Sequence, residues 1–257
     1  MNIKDFISSE RLATFGGHTD TEERAIALHN HTLQLGSSLM SMIALFELSL
    51  RNSANLQLIN TFEDQDWLLP SHTSIPLKRT EENSVKGAVR HARKAAYAKL
   101  SHQEKLRLDA TAFPDGIPPA VTYDQKVKRR QAQMNVSHGQ VISQTTFYFW
   151  KRLFSSDYNA TLWKTSLKKV FPNKRIKRPD VARALEVVYS TRNRVAHHEP
   201  VYGDRLEEAV ANLSFLRDSL GANNGQEETS FKKLSRVQYL RLRMDQEAFL
   251  EAWRTLT

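Results

Sequence analysis

An all-α fold is predicted by three features of this 257-residue chain: apolar residues recurring at three- and four-residue intervals, only nine glycines and eight prolines, and no sustained two-residue alternation. The first long helix begins after Thr19-Asp20-Thr21, where Asp20 followed by Glu23 fits a capping box better than Thr21 followed by Arg24. It runs through Ile26, Leu33, Leu39, Met42, Ile43, Phe46, Leu50 and Ile59, with a break expected at Gly36. So wide a stripe calls for burial on more than one side. Trp67, Pro70, Ser71 and Pro76 mark a connection, after which Leu77 to Asp109 reads as a charged, Ala-rich helical stretch ended by Pro114, Gly116, Pro118 and Pro119. Helical periodicity resumes from Asp124 to Phe154. Within it, Phe147-Tyr148-Phe149-Trp150 is read as core packing in preference to base stacking, because large rings set against neighbouring helices explain it with fewer assumptions.

Leu162 to Phe171 reads as a short helix, and Pro172 to Pro179 as a basic loop kept extended by a proline at each edge. Asp180 is placed to cap the next helix, whose stripe is Val181, Leu185, Val188, Arg192 and Val195 and which stops before Pro200. A further helix spans Asp204 to Leu220. Gly221 to Thr229 reads as a flexible linker, and Phe231 to Leu256 as an amphipathic helix with Leu234, Val237, Arg241, Met244, Ala248 and Trp253 on one stripe.

The absence of cysteine removes disulfides, thiolate-ligated zinc, iron–sulfur clusters and a cysteine nucleophile, and is compatible with a reducing compartment. A mean hydropathy of −0.53 and the lack of an uncharged apolar run near 18 residues argue against a membrane span. Met1 to Glu10 lacks the basic-then-apolar build of a secretory signal, so a cytoplasmic location is expected. The 37 Lys and Arg exceed the 28 Asp and Glu, for a net charge of +9. The excess is concentrated: from Lys126 to Arg178 there are thirteen basic residues and one acid, Asp157, so the remainder is net acidic. Such segregation suits a phosphate-tracking surface, with Lys126, Lys128, Arg129, Arg130, Lys151, Arg152, Lys168, Lys169, Lys174, Arg175, Lys177 and Arg178 as RNA-binding candidates. A solvated basic face without a partner is the alternative.

Arg192 stands where the stripe of its helix calls for an apolar residue. A guanidinium directed at a packed interior must be paired, or must face a cavity or a subunit interface. Asn193 and His197 are four apart and share a face, whereas Arg192 and His197 are five apart, about 140° around an ideal helix. A long arginine side chain can still reach the same pocket if the helix loosens toward Pro200. Asn, Arg and His at one helix end point to phosphodiester chemistry, in which an imidazole moves a ribose hydroxyl proton and a guanidinium stabilises charge on the phosphate oxygens. A structural histidine at a helix C-terminus is the competing reading. His198 and Glu199 invite a metal reading, but adjacent histidines diverge by about 100° and no third ligand is positioned by the sequence, so no metal or other cofactor is assigned. The two residues are read as closing the helix or orienting the motif, with His198 an alternative to His197. The isolated histidines, His29 among them, receive no role. No phosphate-cradling or dinucleotide glycine motif is present.

Arg192-Asn193-Arg194-Val195-Ala196-His197-His198-Glu199-Pro200 resembles the signature of the Abi-like, or abortive-infection, branch of the HEPN superfamily. Collinear segments agree: Phe6 to Thr14 resembles the family's opening segment, Phe46 to Asn52 its first long helix, and Thr146 to Phe154 with Leu162-Trp163 its aromatic middle. The likeness extends to about Leu220. It implies an HEPN-type helical bundle with additional helices over residues 1–220, with a helical, basic insertion around 77–180, then a linker over 221–230 and a C-terminal amphipathic helix over 231–257. For active members it implies metal-independent endoribonuclease activity in phage defence or toxin–antitoxin systems, leaving 2′,3′-cyclic phosphate ends. Carried over by position, Arg192, Asn193 and His197 are the catalytic candidates. Glu47 and Arg51, four apart on the first long helix, are a supporting pair or an ordinary intrahelical ion pair. Arg51-Asn52 is not a second motif, since Leu56 occupies the histidine position. One set per chain implies a homodimer. RNA as substrate, with an antitoxin protein or a small RNA as regulator, completes the expected partners. The alternative is a non-catalytic HEPN module that binds RNA or protein.

Overall fold

The computed structural model describes residues 6–72 and 74–257; residues 1–5, part of the stretch read for a secretory signal, lie outside them. Among the described residues there are helices and no strand. Helix α1 (Ser9–Gly16) precedes the 41-residue α2 (Glu22–Phe62). The cap of α2 is Thr21, whose hydroxyl accepts from the Arg24 amide at 3.3 Å, while the Asp20 carboxylate is drawn to the Arg24 side chain. Nor does α2 break at Gly36. The missing side chain serves a crossing instead, since a Cβ there would lie 3.4 Å from Val195 Cγ1.

The stretches expected as long helices are subdivided, and the divisions fall where polar side chains start new N-termini. Leu77 to Asp109 holds α3 (Arg79–Ala98), α4 (His102–Arg107) and the start of α5 (Asp109–Ala112), with Ser101 and Glu104 forming a capping box ahead of α4. Asp124 to Phe154 resolves into α6 (Tyr123–Ala132), α7 (His138–Ile142) and α8 (Phe147–Arg152). Thr122 with Gln125 and Ser137 with Gln140 form capping boxes, and Thr146 accepts from the Phe149 amide. Leu162 to Phe171 is not one helix: a π-helical turn, Asn159–Trp163, is followed by a 3₁₀ turn, Leu167–Val170.

Helix α9 (Arg178–Ala196) starts one residue before Pro179, which sits in its first turn. Asp180 lies inside that turn, where its charge suits the helix dipole, and is not the cap. Helix α10 (Asp204–Ser219) packs beside α9. The segment expected as a flexible linker is tied down: Gly221 N–H donates to the Val170 carbonyl at 2.9 Å, Asn224 accepts from the Lys174 amide at 3.0 Å, and Ala222 and Thr229 are buried. Helices α11 (Ser230–Leu234) and α12 (Arg236–Leu256) end the chain.

Helix α2 is the spine, covered by α12, α1, α9 and α8. By length and hydropathy it could cross a bilayer, as core helices of folded domains also can; here Leu28, Leu35, Leu39, Met42, Phe46 and Leu50 are fully buried within the bundle. Helix α12 runs antiparallel to it, with Asp245 near Ser38 and Phe231 of the preceding α11 near Phe46. Its buried face is Leu242, Asp245, Phe249 and Ala252, while Leu234, Val237 and Met244 of the expected stripe are turned to solvent. Asp245 accounts for the rotation, because its buried carboxylate accepts from Ser38 Oγ, Gln34 Nε2 and Arg241 Nε. The aromatic run packs as core: Phe147, Phe149 and Trp150 are buried, and Trp67 stacks on Phe149.

Glu81 ties α3 to this aromatic region. Its carboxylate is 1% exposed and accepts from Arg152 Nε at 3.0 Å and the Tyr158 hydroxyl at 2.6 Å, while that hydroxyl accepts from the Lys78 amide at 2.8 Å. Glu81→Ala leaves buried donors without an acceptor. We expect it to lower unfolding stability by about 3 kcal/mol in chemical denaturation, and a loss below a few tenths would contradict this account.

Candidate active site

Val181, Ala184, Leu185, Val188 and Thr191 hold α9 on the core, so the last turn projects toward α1 and the first half of α2. The helix ends in a Schellman closure: the His198 amide donates to the Val195 carbonyl at 2.9 Å and the Glu199 amide to the Arg194 carbonyl at 2.8 Å. His198 has φ 57°, the left-handed conformation that glycine most often supplies at this position. Two further contacts fix the turn. Arg11 Nη1 donates to the His198 carbonyl at 2.9 Å, and Arg194 pairs with Glu199 at 2.9 Å.

Asn193 and His197, one turn apart, open into the same solvent-facing depression of about 290 Å³, shared with Glu186, Tyr189, Ser190, Arg194 and Glu199. Arg192 does not line it. Its guanidinium is half-buried, donates to Asn193 Oδ1 at 3.3 Å, and lies on the side of α9 that faces Glu47 of α2. Burial pushes the Glu47 carboxyl upward, and the charges of Arg192 and then Arg51 pull against that rise. Among the described residues no ion pair joins Glu47 to either arginine, and Arg51 Nε instead contacts Asn52 at 3.4 Å. One chain therefore brings Asn193 to His197, and Arg192 to Glu47 and Arg51, as two adjacent groups.

His198 opens the other way, into a larger cleft of about 690 Å³ between α2 and the α9 closure. His29 lines this cleft. It is 6% exposed, and neither ring nitrogen has a partner with hydrogen-bond geometry, which costs on the order of 1–3 kcal/mol. Burial pushes its pKa below the ordinary histidine value; the Asn30 side chain opposes this and the Arg11 charge adds to it. Sequence reasoning missed Arg11 and His29, since nothing local links them to the motif. Tyr189 was missed as well, although it lies one turn before Asn193 on the same face and helical spacing points to it. Among the described residues no three His, Asp or Glu side chains stand together as a metal-ligand set.

The basic segment divides. Arg130 is buried, donating to both Asp109 oxygens at 2.7 and 2.6 Å, with Lys126 on the same carboxylate at 3.3 Å. Lys151 is buried against Glu186 and lies over the Tyr148 and Tyr189 rings. Arg152 bridges Glu81 and Asp157, Lys168 donates to the Asn173 and Ile176 carbonyls, and Arg178 donates to the Phe154 carbonyl. Of the RNA-contact candidates, Lys126, Arg130, Lys151, Arg152, Lys168 and Arg178 thus each have partners within the chain. Lys128, Arg129, Lys169, Lys174, Arg175 and Lys177 remain exposed, Arg129 over the Phe113 ring. The last three precede α9, so they stand about 28 Å from the motif by helix rise.

No protein-family model matches the chain, and neither does any curated protein or any solved structure.

Arg130→Ala should lower stability by about 3 kcal/mol, since it strands the Asp109 carboxylate beside a buried site, whereas the exposed Arg175→Ala should stay within about 0.5 kcal/mol of wild type; thermal melts separate them. Arg130 holds the Asp109 carboxyl below its usual range. The stability contributed by this pair is therefore complete above the unfolded carboxylate value, about 3.9, and is lost as pH falls through the lower folded value. The melting difference between wild type and Asp109→Asn should shrink toward zero across that acid window. His198→Gly should raise stability by about 1 kcal/mol by relieving the left-handed side chain, and denaturation would show no gain if that conformation were unstrained.

Proposed function

We propose that this chain is a metal-independent endoribonuclease of the HEPN type, acting as a homodimer. The observation that carries the reading is the shared depression of Asn193 and His197 at a solvent-facing helix end, with the Arg192 guanidinium hydrogen-bonded to Asn193. In the proposed reaction the His197 imidazole takes the ribose 2′-hydroxyl proton, O2′ bonds to phosphorus, and the P–O5′ bond breaks. The departing O5′ takes a proton from solvent, giving a 2′,3′-cyclic phosphate and a 5′-hydroxyl. Arg192 stabilises charge on the phosphorane oxygens, and Asn193 orients the guanidinium.

Because Arg192 faces Glu47, a second copy facing the α9 ends supplies the cationic fork for the depression of the first. Leu48 of α2 and Val237, Leu240 and Met244 of α12 are exposed apolar side chains that suit such a contact. An abortive-infection or toxin role, restrained by an antitoxin protein or RNA, follows as part of the same proposal. The separation of Arg192 from the His197 depression within one chain favours a second reading, a non-catalytic module that binds RNA or protein.

End-labelled RNA incubated with the protein in EDTA separates them. We expect cleavage with 2′,3′-cyclic phosphate and 5′-hydroxyl termini, reduced on the order of 100-fold or more in His197→Ala and strongly in Arg192→Ala, with dimers by light scattering. A His197→Ala protein cutting at the wild-type rate overturns the mechanism. Tight, steeply salt-dependent binding without cleavage favours the module.

A further inference from the structure

The cleft that His198 enters has a polar group at its base and apolar walls. Leu33 and Met40 of α2 face Val195 and Pro200 across it, and His29 supplies a buried ring whose nitrogens have no partner at full hydrogen-bond geometry, with the Asn30 side chain interacting weakly beside it. Phe15 meets that ring edge-on at 6.2 Å, so it is fixed from behind. An uncharged imidazole presents one donor and one acceptor. The fitting ligand is flat and uncharged, with apolar faces and a donor–acceptor edge. An aliphatic chain would leave the imidazole unsatisfied, and a charged head would lose its hydration among apolar walls.

The position of the cleft narrows the ligand further. Its rim is His198 and Glu199, the residues that close the helix carrying His197, and Arg11 and Arg194 bind those rim residues. Chain leaving the cleft passes cations and then the Asn193/His197 depression. We propose that the cleft receives one unstacked base of the RNA, with His29 bonding its edge and Leu33, Met40 and Pro200 flanking its faces, so that it sets the nucleotide preference beside the cleaved bond. This rests on the ribonuclease reading for its placement, and base recognition can be measured without cleavage.

The full-length protein is titrated calorimetrically with each of the four ribonucleoside 5′-monophosphates, and with ribose 5-phosphate as the probe lacking a base. At least one nucleotide should bind about tenfold more tightly than ribose 5-phosphate, the size of one well-made hydrogen bond. His29→Leu should remove most of the preference among bases. Ser41 is exposed on α2 and lines the cleft, so Ser41→Trp plugs it without entering the core and keeps the test decisive if the His29 variant does not fold. In Ser41→Trp all five probes should bind alike. Equal binding of all five to wild type, or an unchanged preference in Ser41→Trp, overturns the proposal. Base-dependent binding by a protein that leaves RNA uncut supports the base site and removes the ribonuclease reading. Cleavage with base-independent binding does the opposite.

Discussion

Helix α2 is about 60 Å long by helix rise, and its apolar surface is too wide for any one neighbour to cover. That requirement organises the chain. Helix α12 takes one side, α1 and α9 another, and α8 a third. Where α9 crosses α2 at Gly36, Val195 packs against the glycine, 3.4 Å from where a Cβ would stand. The motif begins three residues before Val195 and ends just after it, so the crossing fixes where Asn193, His197 and His198 stand. Arg11 then attaches α1 to the same turn through the His198 carbonyl. The site is positioned by a packing constraint, with one long-range hydrogen bond fastening its last residue.

The charge distribution shows why linear charge is an incomplete guide to surface potential. Between Lys126 and Arg178 a single acid is counted, yet Arg130, Lys151 and Arg152 all have carboxylate partners. Asp109, Glu186 and Glu81 come from outside the window and are brought in by folding. The cations left exposed form a smaller set concentrated before α9, at the end of the helix opposite the motif. The exposed cations and the motif therefore stand a full helix length apart, at opposite ends of α9.

The all-helical character was legible because the apolar spacing is helical in every long segment. Helix boundaries were less so. The Thr122, Ser137 and Thr146 caps are ordinary sequence signals, but periodicity carried across the interruptions hid them. The face of α12 was misread because Asp245 breaks the apolar pattern, and only three donors from Gln34, Ser38 and Arg241 make its burial tolerable. At the site, the Asn193/His197 pairing follows from helical spacing alone. The inward direction of Arg192 follows from its stripe position, which left a pair, a cavity or an interface open, whereas its facing Glu47 exists only in the folded chain. Arg11 and His29 could not be found this way, since their relation to the motif spans some 170 residues or more and exists only after α1 and α9 meet on α2.

Two adjacent histidines might be expected to duplicate each other. The closure of α9 prevents it. His197 is the last near-helical residue and keeps the direction of Asn193, toward a polar, open depression, whereas the left-handed backbone at His198 swings the next side chain into the apolar cleft beside His29. Both rings are exposed, His197 lining the depression beside Asn193 and His198 lining the rim of the cleft. The strain at His198 is what separates them, because a right-handed residue there would extend the helix by a position and lose the hydrogen bond from the Glu199 amide to the Arg194 carbonyl. A single backbone angle thus sends two adjacent imidazoles to two separate cavities at this end of the molecule.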